Sequence, residues 1–260
     1  MSTVSRRWSR TSKAAQYGFL GGGAGVSLRL AALGLPRAAA VAAGFGIVLV
    51  GAFLAEHAGN GVLGFQPASG LDALLLTTLP GALALALMNG VVSDAFKSGS
   101  WLQLRRISGS ALRLPLAYLA MRTLVVLALF AVACFALRVA FAEALSVRFV
   151  VAAALACVVF ATAAAAADAV LGRRGGVALV AGLILSDRVF AHAPGGMRLL
   201  ALHTHLRRLA DLPQQGLWVE MMPELTVVGA LTLPALSLGL ALSLFLWRTH
   251  RWQPAAATPT

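Results

Sequence analysis

Residues 225–247 run for twenty-three positions without one charged side chain. About twenty mostly apolar residues suffice for a helix to cross the hydrocarbon core of a bilayer, and four more stretches approach that standard. Residues 38–55 are uncharged between Arg37 and Glu56, 73–93 between Asp72 and Asp94, and 149–167 between Arg148 and Asp168. Residues 114–137 contain a single charge, Arg122. A shorter run, 175–186, has twelve residues and stops at Asp187 and Arg188. Backbone amides inside lipid must be satisfied within the segment, so each run predicts a helix. The expected fold is an all-α polytopic membrane protein of about six transmembrane helices.

Composition agrees. Of 260 residues, 59% are hydrophobic and 12% charged, against about 25% charged in soluble domains. A soluble monomer so short of polar cover would expose large apolar patches. The same richness excludes disorder, and two cysteines are too few for a disulfide-stapled fold. Cys134 and Cys157 both lie in apolar runs, where a thiol acts as a small hydrophobe. The net charge of +12 fits loops that face anionic lipid rather than nucleic acid.

Basic residues set the orientation. Arg6, Arg7, Arg10, Lys13, Arg29 and Arg37 precede the first span, and the 56–72 loop has none. Lys97, Arg105, Arg106 and Arg113 occupy the 94–113 loop, Arg173 and Arg174 the 168–174 loop, and Arg248 and Arg251 the end of the chain. Six spans put these 14 residues on one side and 6 on the other, so both termini are expected in the cytoplasm. Without the short run there are five spans and the C-terminus lies outside. The chain then divides into a basic amphipathic N-terminal segment (1–37), one transmembrane domain (38–249) and a tail (250–260). Residues 3–20, with Trp8, Tyr17, Phe19 and Leu20 toward lipid, suit a helix on the inner surface. It weakens at Gly21–Gly23. Ser5-Arg6-Arg7-Trp8 is faintly like a twin-arginine export signal, but Arg29 and Arg37 interrupt any hydrophobic core.

The loop after the second span carries the strongest pattern. Trp101, Leu104, Ile107 and Ala111 recur at helical spacing, widened by Leu102 and Leu112, with Lys97, Arg105, Arg106 and Arg113 on the polar side. Pro115 then opens the third span. Two interpretations stand: a basic loop that only fixes orientation, or a docking helix for a cytoplasmic partner. Polar residues within spans are functional candidates. Arg122 either snorkels to the inner interface or meets a partner such as Asp94. Asn89 is costly in lipid unless it meets another helix. Asp168, beside Arg173 and Arg174, is expected as a solvated interface residue. In the outer segment, His203 and His205 at i and i+2 could chelate a metal from a strand. The stripe of Leu199, Leu202, Leu206 and Leu209 instead predicts an interfacial helix with the two imidazoles on different sides. His57 and His192 are expected at membrane boundaries. The small-residue faces 38–46 and 161–169 permit close helix contact.

The layout resembles the membrane subunit of ABC-type-2 exporters. A cytoplasmic amphipathic start, six spans and a second span ending in an acid are shared with that family, as are a basic helix and a Pro-started third span with an early Arg. Asp94, Gly99, Leu102, Arg105, Arg106, Pro115 and Arg122 stand where that pattern places them. The resemblance implies a coupling helix at 95–113 that binds a separate ATPase through Lys97, Gly99, Trp101, Leu102, Arg105 and Arg106. It also implies a second permease subunit, most simply a second copy of this chain, around one pathway near Asn89, Asp94 and Arg122. The location implied is the bacterial inner membrane. No Walker A motif is present, since neither Lys13 nor Lys97 follows a glycine, so ATP hydrolysis belongs to another chain. No catalytic residue, cofactor or metal is assigned, and no nucleic-acid partner. Ser108-Gly-Ser110 lies in a loop rather than in a protease setting, and the spans lack convergent acids, histidines or a nucleophile. The alternative is another multi-spanning transport or assembly component, a secondary transporter or export accessory, without an ATPase partner. The lack of an internal repeat weighs against inverted-repeat transporters.

Overall fold

The computed structural model describes residues 35–59, 74–108, 112–141, 146–191, 193, 195–212 and 225–251. The basic segment before residue 35, the 60–73 loop, Ala111, His192 and the tail beyond Arg251 lie outside them. Among the described residues there is no strand. Helix α1 spans Leu35–Gly59. A π-helical turn, Leu74–Thr78, leads into α2 (Leu79–Met88), followed by α3 (Val91–Lys97) and α4 (Ser100–Ser108). Then come α5 (Arg113–Phe141), α6 (Val147–Ala191), a 3₁₀ turn (Gly195–Leu200), α7 (Leu202–Leu209) and α8 (Val227–Arg251).

Four helical stretches are long and apolar enough to cross a membrane: Leu74–Lys97, Arg113–Ala136, Val147–Ala191 and Val227–Arg251. Leu35–Gly51 is a shorter apolar helix. Burial separates these elements by role. In the most apolar window of Leu74–Lys97 and of α6, 67% of residues are buried, against 28% in α5 and 17% in α8. The first two therefore form the interior, while α5 and α8 turn apolar side chains such as Leu124, Phe135, Leu236 and Leu240 outward. An apolar exterior of this extent belongs in lipid.

Helix α6 is the hub, packing against α2, α3, α5, α7 and α8. It is not a straight rod. Gly172 adopts φ 74° and ψ 178°, a conformation open to glycine and closed to side chains. In an unbroken helix residues 168 and 176 would stand about 12 Å apart. A Cβ on Gly176 would instead lie 3.2 Å from the Asp168 amide nitrogen, so the chain folds back at Gly172 into two limbs. The limbs face a common neighbour: a Cβ on Gly81 of α2 would meet Ile184 at 2.5 Å and Phe160 at 3.5 Å. The second limb reaches Ala191, well past the expected end at Asp187. The apolar run stops there because Asp187 is spent on a cap, not because the helix ends. Its Oδ1 accepts from the His203 amide at 3.0 Å, in the first turn of α7, and the side chain is only 6% exposed.

The connections gather at two ends. At one, Arg105 Nη1 donates to His250 O at 2.8 Å and Arg248 Nε to Ala169 O at 3.2 Å. These contacts join α4, the Gly172 turn and the end of α8. At the other, Arg208 Nε donates to Leu225 O at 2.7 Å, and Arg148 pairs with Asp211 across an exposed surface. Lys97, Arg105, Arg106, Arg113, Arg173, Arg174, Arg248 and Arg251 all sit on elements of the first, basic end.

Candidate functional site

The second apolar stretch is broken just before the basic end. Helix α2 is apolar on every face and correspondingly buried, but Asn89 leaves it with ψ 133° and Gly90 turns left-handed at φ 85°. Asn-Gly favours a turn, and the positive φ favours glycine here; a Cβ would also lie 3.1 Å from Arg173 Cδ, so that stem would have to shift. A break inside a buried helix exposes amides on one side and carbonyls on the other. Gly90 has no side chain to cap α3, so the cap comes from another element. Asp168, fully buried on α6, accepts from the amides of Gly90 and Val92 at 2.9 Å and Ser93 at 3.2 Å, and from the Ser93 hydroxyl at 2.7 Å. On the carbonyl side, Arg122, 1% exposed, donates Nη1 to Leu87 O, and Tyr118 donates its hydroxyl to Met88 O at 3.4 Å. The guanidinium also lies 4.9 Å from the centroid of the Tyr118 ring. An acid faces the positive end of one half-helix and a base the negative end of the other, as the helix dipole favours.

This arrangement overturns the expectation that Asp168 is solvated. Arg122 neither snorkels nor meets Asp94: it is spent on α2, while Asp94 is exposed on α3. Asn89 keeps a buried Oδ1 with no partner among the described residues.

Beyond α3, Gly99 takes φ 68° and redirects the chain into α4. Trp101 is buried, edge-on to Phe96 with centroids 5.5 Å apart. It anchors α4 rather than presenting itself outward. Leu102 is half-buried beside it, Arg105 is tied to α8, and Lys97, Gln103 and Arg106 face out. Pro115 falls in the first turn of α5, as the sequence suggests. No family model, curated protein or solved structure matches the chain. Its site is therefore known through its own geometry.

At the opposite end, α7 is not a surface helix. His203 and His205 are both buried, with Thr204, Leu206 and Arg207. One ring nitrogen of His205 lies 3.2 Å from Ala230 O and the other 2.9 Å from Leu199 O. The first contact has a cause in α8: Pro234 has no N–H, which frees the carbonyl four residues earlier, that of Ala230. His205 fills the gap. Among the described residues no three His, Cys, Asp or Glu side chains converge as for a metal ion.

Sequence reasoning missed Asp168, Tyr118 and Asp187 as structural keystones. For Asp168 the available signal was a lone acid closing an alanine-rich apolar run. For the break it was Asn89-Gly90 itself.

Proposed function

We propose that the chain is the membrane-spanning subunit of an ATP-driven exporter of ABC type 2, working as a dimer with a separate ATPase. The observation that carries this reading is α4. A short amphipathic helix stands at the basic end, anchored by Trp101 and Arg105, with Arg106 and Gln103 open to a partner. Its connections suit a coupling element. Displacement of α4 passes through the Trp101–Phe96 contact to α3, through the Asp168 cap to α6, and through Arg105 to α8. Rigid elements joined by packed side chains and hydrogen bonds move together rather than deform.

In this reading the two limbs of α6 each cross the bilayer and α1 completes six crossings. The basic end is cytoplasmic in a bacterial inner membrane. The outward apolar faces of α5 and α8 meet lipid and the second subunit. The break at Asn89–Gly90 is the one observation that favours a secondary transporter, whose binding sites use half-helix ends. Here both ends are already occupied by Arg122 and Asp168, which weighs against it.

The test is co-purification from native membranes in mild detergent. Wild-type protein is expected to bring down a near-stoichiometric soluble ATPase, and Arg106→Glu to lose it while still inserting. Arg105→Glu is a poorer probe, because it also releases α4 from α8. A chain that purifies without an ATPase, or an Arg106→Glu variant that keeps it, rejects the proposal.

A further inference from the structure

Beside the helix break, a cleft of about 960 Å³ opens between α3 and the Gly172 turn. Lys97, Arg173 and Arg174 line it with a single acid, Asp94. All four side chains are exposed, and among the described residues no hydrogen bond or ion pair involves the three cations. The stem of Arg173 lies over Gly90. An excess of cations in a concave site at the end of a helical bundle selects an anion.

A second hollow, about 650 Å³, adjoins the first, and Asn89 and Val177 line both. It is walled by α1, α2 and the second limb of α6, through residues such as Phe45, Leu85, Ala181 and Leu185. Its rim is part of the apolar exterior: Val41, Phe45 and Leu185 are 64%, 52% and 67% exposed. The hollow therefore opens sideways toward lipid, while the cleft opens at the basic end. A free anion would fill the cleft and leave the groove empty. A neutral apolar molecule would do the reverse.

We infer that cleft and groove form one seat for a single anionic membrane phospholipid, its phosphate headgroup on Lys97, Arg173 and Arg174 and an acyl chain in the groove between α1, α2 and α6. Basic pockets between membrane helices bind acidic headgroups in this way. The seat requires only that the chain lies in a bilayer and is independent of any ATPase partner. A lipid there touches the outer surface of the break whose inner surface is held by Asp168 and Arg122.

Native mass spectrometry of the full chain in detergent tests it, with phosphatidylglycerol and phosphatidylcholine of identical acyl chains as probes. Wild-type protein is expected to retain one phosphatidylglycerol at least tenfold more strongly than phosphatidylcholine. The paired variant Arg173→Glu/Arg174→Glu should lose that preference, and Ala181→Trp, which fills the groove without altering charge, should weaken retention of phosphatidylglycerol. Inorganic phosphate should not displace the lipid. Equal retention of the two lipids by wild-type protein overturns the inference without recourse to any variant. So does displacement by phosphate together with unchanged retention in Ala181→Trp, which would mark a site for a free anion.

Discussion

Gly90 and Asp168 decide the geometry of the break between them. Replacing Gly90 with alanine forces a Cβ into a left-handed conformation at a cost of about 1–2 kcal/mol, and the Arg173 stem must also move aside. Gly90→Ala is expected to lower the thermal midpoint in detergent and to disturb the cleft that Arg173 lines. Asp168 stabilises three buried amides and a hydroxyl, and each buried donor left unsatisfied costs about 1–3 kcal/mol. Asp168→Ala is therefore expected to destabilise by about 3 kcal/mol or more. Asp168→Asn, which keeps an acceptor oxygen, should cost less. Equal unfolding midpoints for the two variants would show that the carboxylate does not cap α3. Both residues were visible in the sequence, but their relation was not: 78 positions separate Gly90 from Asp168, and no local pattern spans that distance.

Helix α8 illustrates how one element's defect becomes another's contact. Pro234 removes a donor and Ala230 O turns to His205 of α7. His205→Ala should cost about 1–3 kcal/mol through that orphaned carbonyl. In a Pro234→Ala background the helix can recover its own bond to Ala230, so the same substitution should cost less. A double-mutant cycle on unfolding midpoints measures the difference. Additive effects would mean that the proline and the histidine are unrelated. At this scale the sequence was legible where apolar runs were long, as in α5 and α8. It misled where a polar residue inside a helix marked a buried cap, as at Asp187, whereas the fold-back at Gly172 falls within the expected 168–174 loop.

Across the whole molecule, the elements that carry the basic loops meet at one end and those with α7 and Asp211 at the other. Cysteine labelling tests the proposed orientation, because the native Cys134 and Cys157 are buried and supply a quiet background. A cysteine at Asp211 is expected to react with an impermeant thiol reagent added outside intact cells, and one at Ser100 only after the membrane is opened. The reverse pattern would invert the orientation.

Membrane residence, an all-helical architecture and the clustering of positive charge on particular loops followed from the sequence alone. They depend on how many apolar residues stand in a row and on which side of each run the cations lie, and both are properties of the one-dimensional chain. An amphipathic helix within 95–113 was legible for the same reason, since its pattern repeats within a few turns, but its start at Ser100 was not, because residues 95–97 belong to α3 and Gly99 turns the chain between them. Tertiary structure decided the fate of the polar groups. Whether Asp168, Arg122, Asp187 and His205 meet water or a backbone orphan depends on which distant helix packs beside them, and on where that helix is broken. Burial of a charge is tolerable only when such an orphan is within reach, and reach is a fact of three dimensions.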